Sequence, residues 1–299
     1  MSKADPNRFW LAVTLAVAAI IGFDIMGIMV RLLSQQGYNA AELSAYRNVL
    51  GVIPSLILMA WLGELKLSVR AYKIKRWKTA LFRGVLVATA QLCFYTALSR
   101  LELATISALA QTNSLFVVVL SVLILGERVG IWRISAVLIG FIGVLWVLRP
   151  GTDSFSAVAL LPVAAAFFYG ASIVTVRLFD SSVSSALLYL YSSVAAIIGA
   201  FLIVPFMGGF SAIERSIDVL MIVAMSLSGG VAVLLLMLSY RMAEASLLAP
   251  FSYFGILTAF GFGYVLFGEA PLDTLFPGVV LIVGAGVIII WREGNSKPS

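Results

Sequence analysis

Two stretches of this chain repeat each other, and in a membrane the copies must point in opposite directions. The segment LSRLELATISALAQTNSLFVVVLSVLILGER (98–128) aligns with YRMAEASLLAPFSYFGILTAFGFGYVLFGEA (240–270) at a constant offset of 142 residues. Glu102 then falls on Glu244, and the pair Gly126-Glu127 falls on Gly268-Glu269. Few side chains are shared, but the acidic markers and the closing glycine keep register across an apolar stretch long enough to cross a bilayer. A weaker match relates GFDIMGIMVR, ending at Arg31, to FYGASIVTVR, ending at Arg177, at an offset of 146. Internal duplication of this kind points to a transporter.

Hydrophobic residues make up 62% of the chain and charged residues 11%, the balance of a polytopic membrane protein. Ten apolar runs approach the roughly 20 residues that cross a hydrocarbon core as a helix. They span about 9–32, 41–63, 78–99, 103–125, 130–148, 156–177, 183–207, 217–242, 246–267 and 272–291. The first run follows Lys3 and Arg8 but is too long for a signal peptide and carries Asp24, so it is expected to stay in the mature chain. With one cysteine, Cys93, and no histidine, the chain offers no intrachain disulfide and no imidazole chemistry. No metal or cofactor is expected, and no nucleic-acid partner either, because the basic residues are dispersed over helix ends and one loop.

Those basic residues report topology. Lys66, Arg70, Lys73, Lys75, Arg76 and Lys78 crowd the loop after the second run, and such loops remain in the cytoplasm. Both termini are then cytoplasmic, with fifteen of the 20 Lys and Arg on the inner side and Arg31, Arg47, Arg100, Arg149 and Arg215 near the outer side. Five helices per half is an odd number, so the second half enters from the opposite side. The expected architecture is an all-α membrane protein of ten transmembrane helices in two inverted five-helix repeats, residues 1–149 and 150–299, joined through RPGTDSFS (149–156).

Two five-helix halves, each closing its fourth helix on a Gly-Glu turn (LGER at 125–128, FGEA at 267–270), resemble the EamA type of the drug/metabolite transporter superfamily. The AYRNVLG segment (45–51) is similar to that family's second helix, which commonly carries an arginine near its start. Within the family the chain looks most like bacterial inner-membrane exporters of amino acids and related metabolites. The resemblance implies a basket of helices 1–4 and 6–9 around a central cavity, with helices 5 and 10 packed outside. Helices 5 and 10 fit that role by having almost no mid-membrane polar residues; Gly140, Gly143, Gly284 and Gly286 are expected to let them pack closely.

Polar residues gather instead in the helices that the resemblance places around the cavity. Gln91 and Tyr95 share one face, Gln111, Thr112 and Asn113 form the most polar mid-helix cluster, and Tyr169, Tyr253 and Phe254 add aromatic surface. A buried amide must find a partner or face water, so these eight are the candidate substrate contacts, interhelical bonding being the competing role. Asp24 carries the most information, since a mid-membrane carboxylate costs roughly 2.5–3.5 kcal/mol even on insertion scales. It lies roughly 12 Å below the outer end of its helix and Arg47 roughly 9 Å below the start of the next, which suggests an Asp24–Arg47 ion pair. A structural clamp, a gating or proton site and an anchor for a zwitterionic substrate are the three roles open to it. Gly170 stands where the second half would repeat Asp24. Pro54 and Pro250 are the mid-helix bend sites, with Pro250 a possible hinge. Gly126 and Gly268 are expected as helix C-caps, leaving Glu127 and Glu269 solvated.

The expected function is secondary transport: export of amino acids or similar small metabolites by alternating access, in a bacterial inner membrane, by a monomer or homodimer. Uptake or exchange of a nucleotide-like, vitamin or drug-like metabolite is the alternative. No Walker sequence is present, and no reactive constellation suggests an enzyme.

Overall fold

The computed structural model describes residues 6–61, 74–126, 131–149, 156–176, 178–179, 185–242, 248 and 251–295. Among these residues every regular element is helical. In order they are α1 (Pro6–Gln35), α2 (Ala40–Gly51), α3 (Ile53–Trp61), α4 (Trp77–Leu98), α5 (Leu103–Ala110), α6 (Asn113–Leu125) and α7 (Ile131–Leu148). Then come α8 (Leu160–Val176), α9 (Ser185–Ile203), α10 (Ser216–Met242), α11 (Phe254–Phe267), the single turn α12 (Leu272–Leu275) and α13 (Gly278–Asn295).

Six helical stretches among the described residues are long and apolar enough to cross a bilayer: Phe9–Gln35, Trp77–Leu98, Leu103–Leu125, Ala157–Val176, Leu188–Met207 and Ser216–Leu236. Shorter apolar helices cover Ile134–Leu148 and Phe254–Phe267. The second expected span is divided at Val52 into α2 and α3, with Pro54 at the start of α3, as a missing amide and ring clash require. Pro250, Glu127 and the basic loop residues 66–73 lie outside the described residues. The lateral surface is apolar in the manner of a lipid-facing one: Phe206 is 89% exposed, Val265 77% and Leu123 74%.

Local chemistry sets the helix ends. Asn39 starts α2 with a capping box: its side chain accepts the N–H groups of Ala41 (3.0 Å) and Glu42 (2.9 Å), while its own N–H donates to Glu42 Oε1 (2.5 Å). The fully buried Glu42 also accepts from the Ser211 N–H and hydroxyl at 2.7 and 2.9 Å, tying this cap to the loop before α10. At the other terminus α6 and α11 both finish on left-handed glycines, Gly126 (φ 69°) and Gly268 (φ 68°), which spares any side chain the steric cost of that backbone. The two caps expected from the repeat are therefore present.

Glycine also sets the closest helix contacts. A Cβ on Gly84 of α4 would stand 2.4 Å from the Ser192 carbonyl oxygen of α9, and one on Gly230 of α10 2.6 Å from the Gly51 oxygen of α2. Helix α7 packs on α13, where Gly143 meets Gly278 backbone to backbone and Gly140 faces Ala285 and Leu115. Of the glycines expected at that contact, Gly140 and Gly143 are in it. Gly284 is not: a Cβ there would meet nothing within 4 Å, because the contact face of α13 runs through Gly278, Ile282 and Ala285.

Candidate transport cavity

A cavity of about 540 Å³ lies among α1, α2, α4, α5, α8, α9, α10 and α11. That is inside the usual size of small-molecule sites. It is lined mainly by apolar side chains, among them Ile20, Phe23, Phe94, Leu98 and Ile106, with a few polar groups set into them.

Two helix interruptions at positions matched by the 142-residue offset border the cavity through Gln111 and Ser252. Helix α5 stops at Ala110 and α6 begins at Asn113, although no proline is present. The intervening turn is tightened: the Thr112 N–H donates to Leu109 O at 3.1 Å and that of Ser114 to Gln111 O at 3.2 Å, three-residue spacings that replace α-helical ones. The hydroxyls of Thr112 (to Leu109 O, 2.6 Å) and Ser114 (to Gln111 O, 2.9 Å) satisfy the carbonyls this leaves under-used. In the second half the turn at Tyr253 does the same, with the Ile256 N–H on Tyr253 O at 3.0 Å. The two breaks meet: Gln111 Nε2 donates to Ser252 O at 3.0 Å.

Gln91, Tyr95, Gln111, Tyr169, Asp24 and Arg47 all line the cavity. Thr112, Asn113, Tyr253 and Phe254 do not. The helix break rotates Thr112 into protein, where it is fully buried, and sends the Asn113 amide to Ala166 O of α8 at 3.0 Å. Tyr253 packs with Ile256 and Leu275, and Phe254 is 39% exposed on the outer surface.

The expected Asp24–Arg47 ion pair is absent. Asp24 accepts a short hydrogen bond from the Thr258 hydroxyl of α11, whereas Arg47 Nη1 donates to Asn48 Oδ1 at 3.1 Å. The sequence suggests a common depth, but the folded helices give the two side chains different partners. Around Arg47 a polar cluster is knitted from α2 and α4: Gln91 Oε1 accepts from Asn48 Nδ2 (2.8 Å) and from the Ser44 hydroxyl (3.1 Å). Sequence reasoning passed over Asn48, Tyr189 and Arg83, which also line the cavity. Arg83 is drawn inward by Ser172 O (3.0 Å) and the Ser192 hydroxyl (2.6 Å), and its place a turn inside α4 was the available signal.

Beside the cavity wall at Leu98 and Leu103, a latch joins distant segments. Glu269, just past the Gly268 cap, forms an ion pair with Arg31 of α1 and accepts the Leu103 N–H at the start of α5 at 2.9 Å. Arg31 also donates to Leu101 O at 3.2 Å and sits 4.4 Å from the Phe267 ring centroid. Glu269 is thus buried and paired, contrary to the solvated role expected for it: the left-handed cap turns the chain back over the helix end. Glu102, beside it, has its carboxyl held above the usual value by burial and, next, by the Glu269 charge.

The EamA-like transporter family model matches residues 10–149. The chain is similar to the riboflavin transporter of Rhizobium johnstonii, 26% identical over 295 residues, 97% of this chain and 94% of that one. It is also similar to the pseudopaline exporter CntI of Pseudomonas aeruginosa, 28% identical over 283 residues, 93% and 95% of the two chains. A solved crystal structure shares the fold at a TM-score of 0.63 and 19% identity, over 95% of this chain and 99% of that one. A transporter rather than an enzyme, a multi-pass protein of the bacterial inner membrane with a small-molecule substrate, is what the apolar helices and these relatives establish, and the family match over residues 10–149 makes the chain similar to the drug/metabolite transporter superfamily.

Proposed function

We propose that the chain exports amino acids or related small metabolites from the cytoplasm by alternating access through this cavity. In this reading residues 1–149 and 150–299 are inverted five-helix repeats, ten helices cross the membrane, and both termini face the cytoplasm. The observation that carries it is the pairing of a substrate-sized cavity with an ion-pair latch beside it, formed between α1 and the loop after α11. A secondary transporter needs such a site near the midplane and a closure that one conformation makes and the other breaks. Export draws support from CntI being named an exporter.

Uptake or exchange of a vitamin-like aromatic metabolite is the second reading. It is favoured by the riboflavin transporter among the relatives and by the rings of Phe23, Phe94, Tyr95, Tyr169 and Tyr189 along the cavity. Proteoliposomes loaded with the twenty amino acids, several nucleosides and riboflavin separate the readings by mass spectrometry of what leaves. Selective, saturable loss of particular amino acids is expected. Loss of riboflavin or nucleosides alone transfers the assignment to the second reading, and no loss relative to empty liposomes refutes transport of this panel.

A further inference from the structure

The charges around the cavity do not balance. Its described lining holds two guanidinium groups, Arg47 and Arg83, and one carboxylate, Asp24, which is already engaged by Thr258. Arg83 rests on a carbonyl and a hydroxyl. Arg47 is only 8% exposed, yet among the described residues no carboxylate lies within ion-pairing distance of it. One hydrogen bond of ordinary geometry runs from Nη1 to the Asn48 amide oxygen, the Tyr189 hydroxyl makes a looser contact with the guanidinium, and Nε has no partner. A guanidinium is charged at any accessible pH and carries five N–H donors. Buried without a counter-ion, it is costly to keep.

The groups around it are donors as well. Gln91 spends its amide oxygen on Asn48 and Ser44, so its NH2 meets no acceptor among the described residues. The hydroxyls of Tyr169 and Tyr189 lie within electrostatic reach of the guanidinium, that of Tyr189 buried without completing a hydrogen bond of ordinary geometry, while the nearby Tyr95 hydroxyl is spent on Met26 Sδ at 3.5 Å. Donors converging on an unpaired cation repel an ammonium group and attract an anionic oxygen. Beyond them the wall turns apolar, through Phe94, Leu98, Ile106 and Phe23.

We propose that Arg47, supported by Asn48, Gln91 and Tyr189, is the subsite for a carboxylate of the transported molecule, whose apolar body lies along the wall toward Phe23 and Phe94. The ligand supplies the counter-charge that the chain omits. Arg47 and a carboxylate form a charge-assisted contact through the edge of the guanidinium that lines the cavity, while Nη1 remains held by Asn48 and Nε is packed beside Gly229. The physiological identity of that ligand rests on the transport reading; the anion subsite rests on the donor geometry.

The test uses the full chain in lipid nanodiscs with probes that share one ring and linker: 3-indolepropionate, its neutral amide, and 3-indolylethyl phosphate, with binding measured by calorimetry. The acid is expected to bind wild type at least tenfold tighter than the amide. Arg47→Gln should bring that preference below threefold, and Arg47→Lys should restore part of it. Should Arg47→Gln fail to fold, Tyr189→Phe removes a donor without touching the charge and is expected to weaken the acid two- to fivefold and the amide not at all. Equal affinity of acid and amide for wild type, neither binding at all included, overturns the proposal, as does a preference that survives Arg47→Gln. Tighter binding of the phosphate than of the acid overturns the carboxylate assignment in favour of a phosphate. Flux of the acid through proteoliposomes is read separately. Arg47-dependent binding without flux counts against the transport reading alone, and flux indifferent to Arg47 counts against the subsite alone.

Discussion

The two halves of the chain contribute unlike things to one cavity. Residues before 150 supply every charge in the described lining, Asp24, Arg47 and Arg83, together with the amides of Asn48, Gln91 and Gln111. Residues after 150 supply hydroxyls, carbonyls and close-packing small residues: Thr258 for Asp24, Ser172 and Ser192 for Arg83, Ser252 for Gln111, and Gly229 beside Arg47. The two sequence-similar segments therefore share their glycine caps and mid-helix breaks, but not chemistry. A duplicated scaffold yields two symmetric walls; selectivity for one end of a ligand requires that only one of them be charged.

The seam between the halves is where this comparison breaks most severely. Gly84→Leu drives a side chain into the Ser192 backbone and Ala195, so α4 and α9 must separate. Overpacking of this kind costs about 3 kcal/mol or more, and loss of monodisperse protein on size exclusion after detergent extraction is expected. A well-behaved, equally thermostable variant would show that the seam is looser than the glycine contact implies.

Asp24→Asn removes one charge from the charged wall while leaving an oxygen for Thr258 to bond. Stability should change by about 1 kcal/mol or less. Transport should drop about tenfold, the equivalent of roughly 1.4 kcal/mol of lost stabilisation. Full transport by a stable Asp24→Asn protein would leave only a structural role for that carboxylate.

Gln111→Ala cuts both hydrogen bonds to Ser252 that join the two helix breaks, and a loss of about 1 kcal/mol is expected in thermal unfolding, with a several-fold fall in efflux. An unchanged melting temperature would mean that the breaks are held by their own tightened turns. The smallest effect belongs to Glu102. Its folded carboxyl titrates above the usual 4.5, so the folded state holds its proton to higher pH than the unfolded chain does. Stability is then full below that value and declines as pH rises through the raised one. Glu102→Gln should flatten this slope, raising the melting temperature at neutral pH by about 1–2 °C. A decrease would show that Glu102 helps Arg31 more than it disturbs Glu269.

What the chain determines by itself is written in one-dimensional patterns. Apolar runs mark the helices because a backbone in lipid must bond to itself, and the offset of 142 residues marks the repeat because duplication keeps register. Gly126 and Gly268 mark their caps because only glycine takes a left-handed turn freely. Rotation is not written there. Helices apolar nearly all round have no hydrophobic face to aim them, so the sequence suggests a common depth for Asp24 and Arg47 but cannot show that each bonds to a different partner. Thr112 and Asn113 looked like cavity residues because they sit beside Gln111, but a tightened turn, unmarked by any proline, swung them into protein. Glu269 looked solvated because it follows a cap, and became the partner of Arg31 only when the chain folded a segment 238 residues away against it. Local backbone rules act within a few residues and can be read along the chain. Azimuth, pairing and the unpaired guanidinium arise only when separate helices choose their neighbours.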